Sequence, residues 1–203
     1  MPTELFFDIE TKKLFEEIDT HNPADLGISI VSVYKRKIDN TGKEIEGQMF
    51  SFWEDDFPKM WPLFTNVDRV VGYNSLGFDI PALAPLCPYD FKKLIHFDML
   101  DAIKNKLGFR LSLNSVATET INASKIDVGT NAPLYWAQQT EESLSKLKYY
   151  CEADVAITRD VYDFVMKNSY LKYKDKWNTV RQFEIDFSYP KQEKHQENQM
   201  GLF

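Results

Sequence analysis

Two carboxylates stand two residues apart near the start of the chain, at Asp8 and Glu10. Residues 4–9 predict a strand, and in a strand this spacing points both side chains to the same face of the sheet. Two carboxylates on one face repel each other unless a cation neutralises them. An exposed pair at a strand end is the alternative. The neighbouring Phe6 and Phe7 indicate a central strand, which favours a functional pair.

A third carboxylate, Asp79, follows a short apolar run that ends in a turn at Gly72. Asp79 stands at the start of a predicted helix, in whose first turn Pro81 is tolerated. The alternative role of Asp79 is that of a helix N-cap, because aspartate is favoured at that position. Considered by itself, the residue favours the cap.

A fourth carboxylate, Asp154, lies four residues after Tyr150, in a segment whose apolar residues recur at helical spacing. The two side chains therefore share one face of the predicted helix. Asp154 interrupts an apolar stripe that includes Cys151 and Val161. An ionised carboxylate on a buried face needs a partner, and a metal ion is one such partner. The alternative is that Asp154 faces solvent.

Three segments, taken together, resemble the motifs of the DEDD exonuclease superfamily. In chain order they are FDIET, N-x3-FD and Y-x3-D, which begin at Phe7, Asn74 and Tyr150. The third motif resembles the tyrosine branch, since the histidine branch places a histidine five residues before the last aspartate, where this chain has Tyr149. Residues 109–125 are also similar to a segment in the editing domain of family B DNA polymerases.

This resemblance implies a metal-dependent 3′–5′ exonuclease that uses two divalent ions, Mg²⁺ or Mn²⁺, for which all-oxygen ligands are suitable. The implied metal ligands are Asp8, Glu10, Asp79 and Asp154. Tyr150 is the fifth implied catalytic residue. It would orient the attacking water, because a phenol with a pKa of about 10 is a poor general base. Asn74 and Phe78 are implied to contact the terminal nucleotide.

The order of the predicted elements indicates an α/β fold, and the resemblance implies a ribonuclease-H-like mixed sheet whose first three strands are antiparallel, flanked by helices. The predicted strands cover residues 4–9, 27–35, 47–53 and 69–74, with a late edge strand at 180–187. The predicted helices cover residues 57–64, 79–86, 100–107, 113–120 and 142–167. The exonuclease domain is expected to span residues 1–188. Residues 189–203 are polar and form an expected flexible tail.

The net charge of −7 argues against a protein that coats nucleic acid electrostatically. It does not exclude an enzyme acting on nucleic acid, because bound cations neutralise catalytic carboxylates. Cys87 and Cys151 are too few for a disulfide framework, so we expect reduced thiols and a cytoplasmic location. No apolar run approaches the roughly 20 residues that cross a bilayer, so no membrane association is expected.

The last five residues, QMGLF, resemble the peptide that bacterial replication and repair proteins insert into the sliding clamp. In that comparison Gln199 hydrogen-bonds at the pocket rim. Met200, Leu202 and Phe203 would fill the apolar groove. The alternatives are an unused tail and a tail folded back onto its own domain.

The predicted function is hydrolysis of single-stranded DNA from its 3′ end during repair or replication. One alternative is an exoribonuclease with the same site, which would act on RNA 3′ ends. Another is a non-catalytic adaptor that binds nucleic acid or the clamp. Outside the motifs, Asp98 is expected to be a helix cap before Leu100.

Overall fold

A five-stranded sheet forms the centre of the structure, a computed structural model that describes residues 1–124 and 129–190. Its strands are β1 (Thr3–Thr11), β2 (Ile28–Ile38), β3 (Glu44–Trp53), β4 (Arg69–Gly72) and β5 (His96–Asp98). They lie in the order β3-β2-β1-β4-β5. Strands β1, β2 and β3 are antiparallel neighbours, whereas β4 runs parallel to β1 and β5 parallel to β4. This arrangement confirms the predicted mixed sheet.

Helices flank the sheet. The α-helices of the described residues are α1 (Phe57–Met60), α2 (Asp79–Leu83), α3 (Met99–Leu107), α4 (Leu113–Ile121), α5 (Ala132–Gln138) and α6 (Glu141–Asn168). Short 3₁₀ helices cover Phe15–Glu17, Pro23–Leu26, Glu54–Asp56, Trp61–Phe64, Ala84–Leu86, Phe91–Lys93 and Gly129–Asn131. Two strands and one α-helix were not predicted: β5, the strand Tyr170–Lys174 and α5. All three are too short for their apolar residues to show a period.

The late strand does not join the central sheet. It is β7 (Val180–Glu184), which pairs with β6 (Tyr170–Lys174) to form a separate antiparallel hairpin. Leu171 and Phe183 are partners in this pairing, and Leu171 is fully buried in the core. The predicted late strand is therefore observed over Val180–Glu184, but in a separate hairpin, because the alternating pattern identifies a strand and not its partner.

The alternation of side chains along β1 sorts them between the two faces of the sheet. Phe6 packs in a core cluster with residues of α3, α4 and α6. Leu5 and Phe7 pack on the opposite face, with residues of α1 and α2. Asp8 and Glu10 have the same parity as Phe6, so they point towards the face that α6 covers.

A network of charged and tyrosine side chains surrounds Glu4 at the beginning of β1. Glu4 is fully buried, and its Oε2 lies 2.8 Å from Nη2 of Arg36. The Oε1 atom of Glu4 accepts hydrogen bonds from the hydroxyls of Tyr162 at 3.0 Å and Tyr189 at 2.8 Å. The guanidinium of Arg69 stacks on the Tyr189 ring at 3.8 Å. The chain is thus packed onto this end of the sheet as far as residue 189.

Part of the expected tail lies outside the described residues, including Gln199, Met200, Leu202 and Phe203. Lys125, the last residue of the segment similar to the polymerase editing domain, also lies outside them. In the two described ranges, no helix combines the length and the apolar character needed to span a membrane.

Candidate active site

Strand β1 presents two carboxylates beyond the point where β4 pairs with it. The pairing of β1 with β4 ends at Phe6, while Asp8 and Glu10 remain paired to β2 opposite Ser32 and Ile30. Asp8 is half-buried and Glu10 is 7% exposed. The central position that the flanking phenylalanines indicated is therefore observed, and the pair does not lie at an exposed strand end.

Helix α6 supplies the third carboxylate. This 28-residue helix is N-capped by Thr140, whose hydroxyl accepts a hydrogen bond from the Ser143 amide at 3.1 Å. Asp154 is 1% exposed, so the alternative of a solvent-facing side chain is wrong. Carboxylate oxygens of Asp8, Glu10 and Asp154 lie within 4.8 Å of one another. The structure thus brings together side chains that are 144 positions apart in the sequence.

Tyr150 lies on the same face of α6, one turn before Asp154, and is 3% exposed. Burial raises the pKa of its phenol far above the ordinary value of 10.0, and the charges of Glu10, Asp154 and Asp8 raise that pKa further. The hydroxyl therefore keeps its proton and acts as a hydrogen-bond donor beside the carboxylates. This state suits the orienting role and not that of a base.

The three grouped carboxylates fit a hard divalent cation. Mg²⁺ binds oxygen at about 2.1 Å, so oxygens on opposite sides of one ion are about 4.2 Å apart. The observed group lies within 4.8 Å, and small side-chain rotations would close the difference. The all-oxygen donor set suits a hard divalent cation and not a soft metal. Asp8, Glu10 and Asp154 are therefore chemically suitable ligands.

Asp79 is buried at the start of α2, but it is not a member of this group within 4.8 Å. The N-cap position of α2 is occupied by Phe78, and Asp79 is the first helical residue. The alternative role of Asp79 as the N-cap was therefore wrong, because Phe78 holds that position. The role of Asp79 as a ligand stays a prediction, because the group contains the other three proposed carboxylates and not Asp79.

The loop before α2 is held by a residue that the motifs do not contain. Asn74 has a φ of +66°, and its backbone N–H donates a hydrogen bond to Oδ1 of Asp98 at 2.8 Å. The other oxygen of Asp98 accepts from the Leu76 amide at 2.9 Å. Oδ1 also accepts from the Leu100 amide at 2.9 Å, which confirms the predicted cap. Asp98 therefore links α3 to the second motif.

Arg110 was also missed as a residue of the site. Its Nη2 donates to the side-chain oxygen of Asn74 at 2.7 Å, which fixes the orientation of that amide group. Residues 74 and 110 are far apart in the sequence. No local signal identifies the pair, because the contact depends on how the loops after β4 and α3 meet.

Phe78 lines a cavity together with Glu10. Its ring packs edge-on against Phe15, with 6.0 Å between the ring centroids. A cavity of about 330 Å³ is lined by both rings and by Glu10. A larger cavity, of about 870 Å³, lies at the opposite end of β1, around the paired side chains of Glu4 and Arg36. Only the smaller of these two cavities adjoins the grouped carboxylates.

Comparisons with known proteins agree with this architecture. The model of the RNase_H superfamily matches residues 5–166. Among solved structures, the family B DNA polymerase of the hyperthermophilic archaeon Pyrobaculum calidifontis has a TM-score of 0.59 and 18% identity. That similarity covers 81% of this chain but 24% of the polymerase, and at this identity it shows the fold alone. No curated protein matches. The superfamily match spans most of the chain and contains the grouped carboxylates, so the chain belongs to the RNase_H superfamily.

Proposed function

We propose that this chain is a divalent-metal-dependent 3′–5′ exonuclease that hydrolyses the phosphodiester bonds of single-stranded DNA. The observation that carries the proposal is the mostly buried group of Asp8, Glu10 and Asp154, whose oxygens lie within 4.8 Å of one another. The similarity of the fold to a DNA polymerase supports a nucleic-acid substrate. The 3′–5′ direction comes from the resemblance of the three motifs to the DEDD exonucleases.

The carboxylates divide into a grouped set and one separate member. Asp8, Glu10 and Asp154 would hold one divalent ion, and Asp79 would contribute to the second. When bound, the two ions would neutralise the scissile phosphate and lower the pKa of the attacking water. An ion at this position also offsets the mutual repulsion of three carboxylates in a mostly buried site.

Tyr150 orients the water for attack. Its proton stays on the phenol because burial and the neighbouring carboxylates raise its pKa. A protonated hydroxyl can donate one hydrogen bond and accept another, which is enough to hold a water in one orientation. The raised pKa favours this orienting role of Tyr150 over general-base catalysis, since a base must release its proton near the working pH.

The terminal nucleotide is held by residues of the second motif. The Phe78 ring faces the cavity that adjoins Glu10, and base–aromatic stacking contributes about 1–3 kcal/mol per base. The Asn74 amide is oriented by Arg110, so its hydrogen-bonding groups are fixed before substrate binds. An oriented amide loses less conformational entropy on binding than a free one.

The first experiment compares 5′-labelled single-stranded DNA and RNA with Mg²⁺, Mn²⁺ or EDTA. We expect the DNA to shorten stepwise from its 3′ end with either metal and to stay intact with EDTA. Asp154→Asn should lower the rate at least about a hundredfold, because it removes one ligand charge without changing volume. Asp160→Asn is the matched control, since Asp160 is an exposed residue of the same helix.

The other outcomes each identify a different function. Stepwise shortening of RNA in preference to DNA would make the chain an exoribonuclease. Internal cleavage products would contradict an exonuclease. A folded protein that cleaves neither strand with either metal would contradict catalysis and support a non-catalytic adaptor.

A further inference from the structure

The hairpin of β6 and β7 is a basic and aromatic element in an acidic chain. Residues 170–184 contain four basic and two acidic side chains, whereas the whole chain has a net charge of −7. The basic side chains are Lys172, Lys174, Lys176 and Arg181. A local excess of positive charge in an acidic protein is the electrostatic signature of a surface that meets phosphates.

Two of the four basic side chains are paired with carboxylates. Lys174 pairs with Glu119 at 2.9 Å, and Arg181 pairs with Asp175 at 2.7 Å. Lys176 instead lies over the ring of Trp177, with 4.4 Å between Nζ and the ring centroid. Lysine and tryptophan side chains stacked in this way offer a phosphate contact beside an aromatic face.

Trp177 is at the tip of the hairpin and is 71% exposed. The turn is held by Asp175, whose Oδ1 accepts from the backbone amides of Trp177 at 2.9 Å and Thr179 at 3.0 Å. These bonds use the backbone, so the turn does not need the indole. An indole that is exposed at the tip of a hairpin is accessible for stacking on a nucleic-acid base.

The hairpin packs against a segment that contacts the second motif. Tyr173 of β6 packs against Phe109, with 5.8 Å between ring centroids, and against Phe183 at 5.9 Å. The next residue after Phe109 is Arg110, which contacts Asn74 of the second motif. Basic and aromatic side chains therefore follow one another from the second motif to the half of the hairpin nearest its turn.

We propose that this hairpin surface, formed by Phe109, Arg110, Tyr173, Lys176 and Trp177, binds the single-stranded nucleic acid whose 3′ end enters the carboxylate site. The inference rests on the proposed function and extends it to the nucleotides upstream of the scissile bond. The surface combines the two basic side chains of Arg110 and Lys176 with aromatic faces on which bases can stack. Short strands that end at the site do not reach the hairpin, whereas longer strands do.

The test measures affinity without cleavage. Fluorescence anisotropy of labelled oligothymidylates about 4 and about 12 nucleotides long in EDTA gives dissociation constants for strands within the range of single-strand binding sites. For the double variant Trp177→Ala, Lys176→Gln we expect about tenfold weaker binding of the long strand, the loss of one stacked base. The slope of the logarithm of affinity against the logarithm of salt concentration should become shallower by the amount that about one phosphate contact contributes. The short strand should bind about as it does to the unmodified chain.

Matched controls separate the hairpin from the rest of the surface. Ile45 and Lys92 are exposed on β3 and in the 3₁₀ helix Phe91–Lys93, so Ile45→Ala, Lys92→Gln removes one exposed apolar side chain and one exposed lysine elsewhere. We expect this control to bind both strands as the unmodified chain does. Thermal unfolding of both double variants verifies that they are folded.

The outcomes distinguish the two proposals. Equal affinity of the unmodified chain for both lengths, or an equal effect of the hairpin variant on both, would overturn the hairpin surface whether or not the chain cleaves DNA. A length-dependent loss of affinity in a chain that cleaves neither DNA nor RNA would support the hairpin surface and reject the exonuclease. Because affinity is measured in EDTA, neither result depends on catalysis.

Discussion

The thiol of Cys151 lies 3.5 Å from the backbone carbonyl oxygen of Asp8, and this contact sets the separation of α6 from β1. Cys151 is fully buried, so no space is available for a larger side chain. The carboxylates of Asp154 on α6 and of Asp8 and Glu10 on β1 are grouped only while this separation is kept. The small side chain at position 151 therefore helps to keep the three carboxylates grouped.

Replacement of Cys151 by leucine should disturb both stability and metal binding. Overpacking a buried position lowers the free energy of unfolding by about 1–3 kcal/mol, as urea denaturation would measure. Mn²⁺ affinity, measured by calorimetry, should fall because the two ligand-bearing elements are forced apart. Cys151→Ala is the control, since it leaves room and preserves the approach of α6. A leucine variant with unchanged Mn²⁺ affinity would contradict the argument.

Metal binding should stabilise the unmodified chain but not Asp154→Asn. A ligand at a hundred times its dissociation constant raises the free energy of unfolding by about 2.7 kcal/mol. Denaturation with and without Mn²⁺ would measure this difference. We expect the asparagine variant to lose most of it, because one of three grouped carboxylates is gone. Equal stabilisation of both proteins would place the ion elsewhere.

Two substitutions of Asp98 should separate its two roles. Asp98→Asn can keep one oxygen for α3, but its amide group opposes the N–H of Leu76, so we expect the KM for oligonucleotides to rise several-fold. Asp98→Ala also removes the helix cap, which lowers the free energy of unfolding by about a further 0.5–2 kcal/mol. Steady-state kinetics and thermal unfolding measure the two effects. A lowered melting temperature with an unchanged KM would show that Asp98 is only a cap.

The buried phenol of Tyr73 should make the stability of the protein depend on pH in the alkaline range. Burial, followed by the charge of Asp98, raises its pKa above the ordinary value, and its hydroxyl donates to the Leu111 carbonyl at 2.8 Å. Above about pH 10 a tyrosine of the unfolded chain loses its proton while folded Tyr73 keeps it, so stability falls as pH rises. Tyr73→Phe should make this fall shallower by up to about 1.4 kcal/mol per pH unit.

Urea denaturation between pH 9 and 11 would measure that slope. Tyr149→Phe is the matched control, because Tyr149 is 63% exposed and its phenol meets water in both states. An identical slope for Tyr73→Phe and the unmodified chain would show that folded Tyr73 gives up its proton as easily as an unfolded tyrosine.

The C-terminal peptide can be tested independently of the domain. We expect deletion of residues 199–203 to abolish binding to a bacterial sliding clamp in surface plasmon resonance. The paired substitution Leu202→Ala, Phe203→Ala should do the same, because it removes the side chains that would fill the groove. Gln192→Ala, Gln196→Ala is the control outside the peptide. Clamp affinity that survives the deletion would reject the comparison.

The long elements of the fold were predictable from their periodicity. Strand β1 and helix α6 have clear periods of two and 3.6 residues, and these two elements carry three of the proposed ligands. The burial of Asp154 followed from its position in an apolar stripe. Strand β5 has only three residues, and no pattern can form over that length.

Contacts between loops were not predictable in the same way. The bonds of Asn74 to Asp98 and Arg110 join segments that are 24 and 36 residues apart. They depend on β4 and β5 being parallel neighbours, whose ends meet at one edge of the sheet. The role of Asp98 as a cap is local and was visible, whereas its hold on the second motif is tertiary and was not.

The hydrogen bond between Glu4 and Tyr189 places residue 189 at the end of β1 away from the carboxylates. Glu4 and Glu10 are six residues apart in one strand, which separates the two ends by roughly 20 Å at 3.3 Å per residue. A fluorophore, affinity tag or fused protein attached after residue 190 would therefore begin on the side away from the carboxylates. Such an attachment leaves the cavity beside Phe78 open to a strand end.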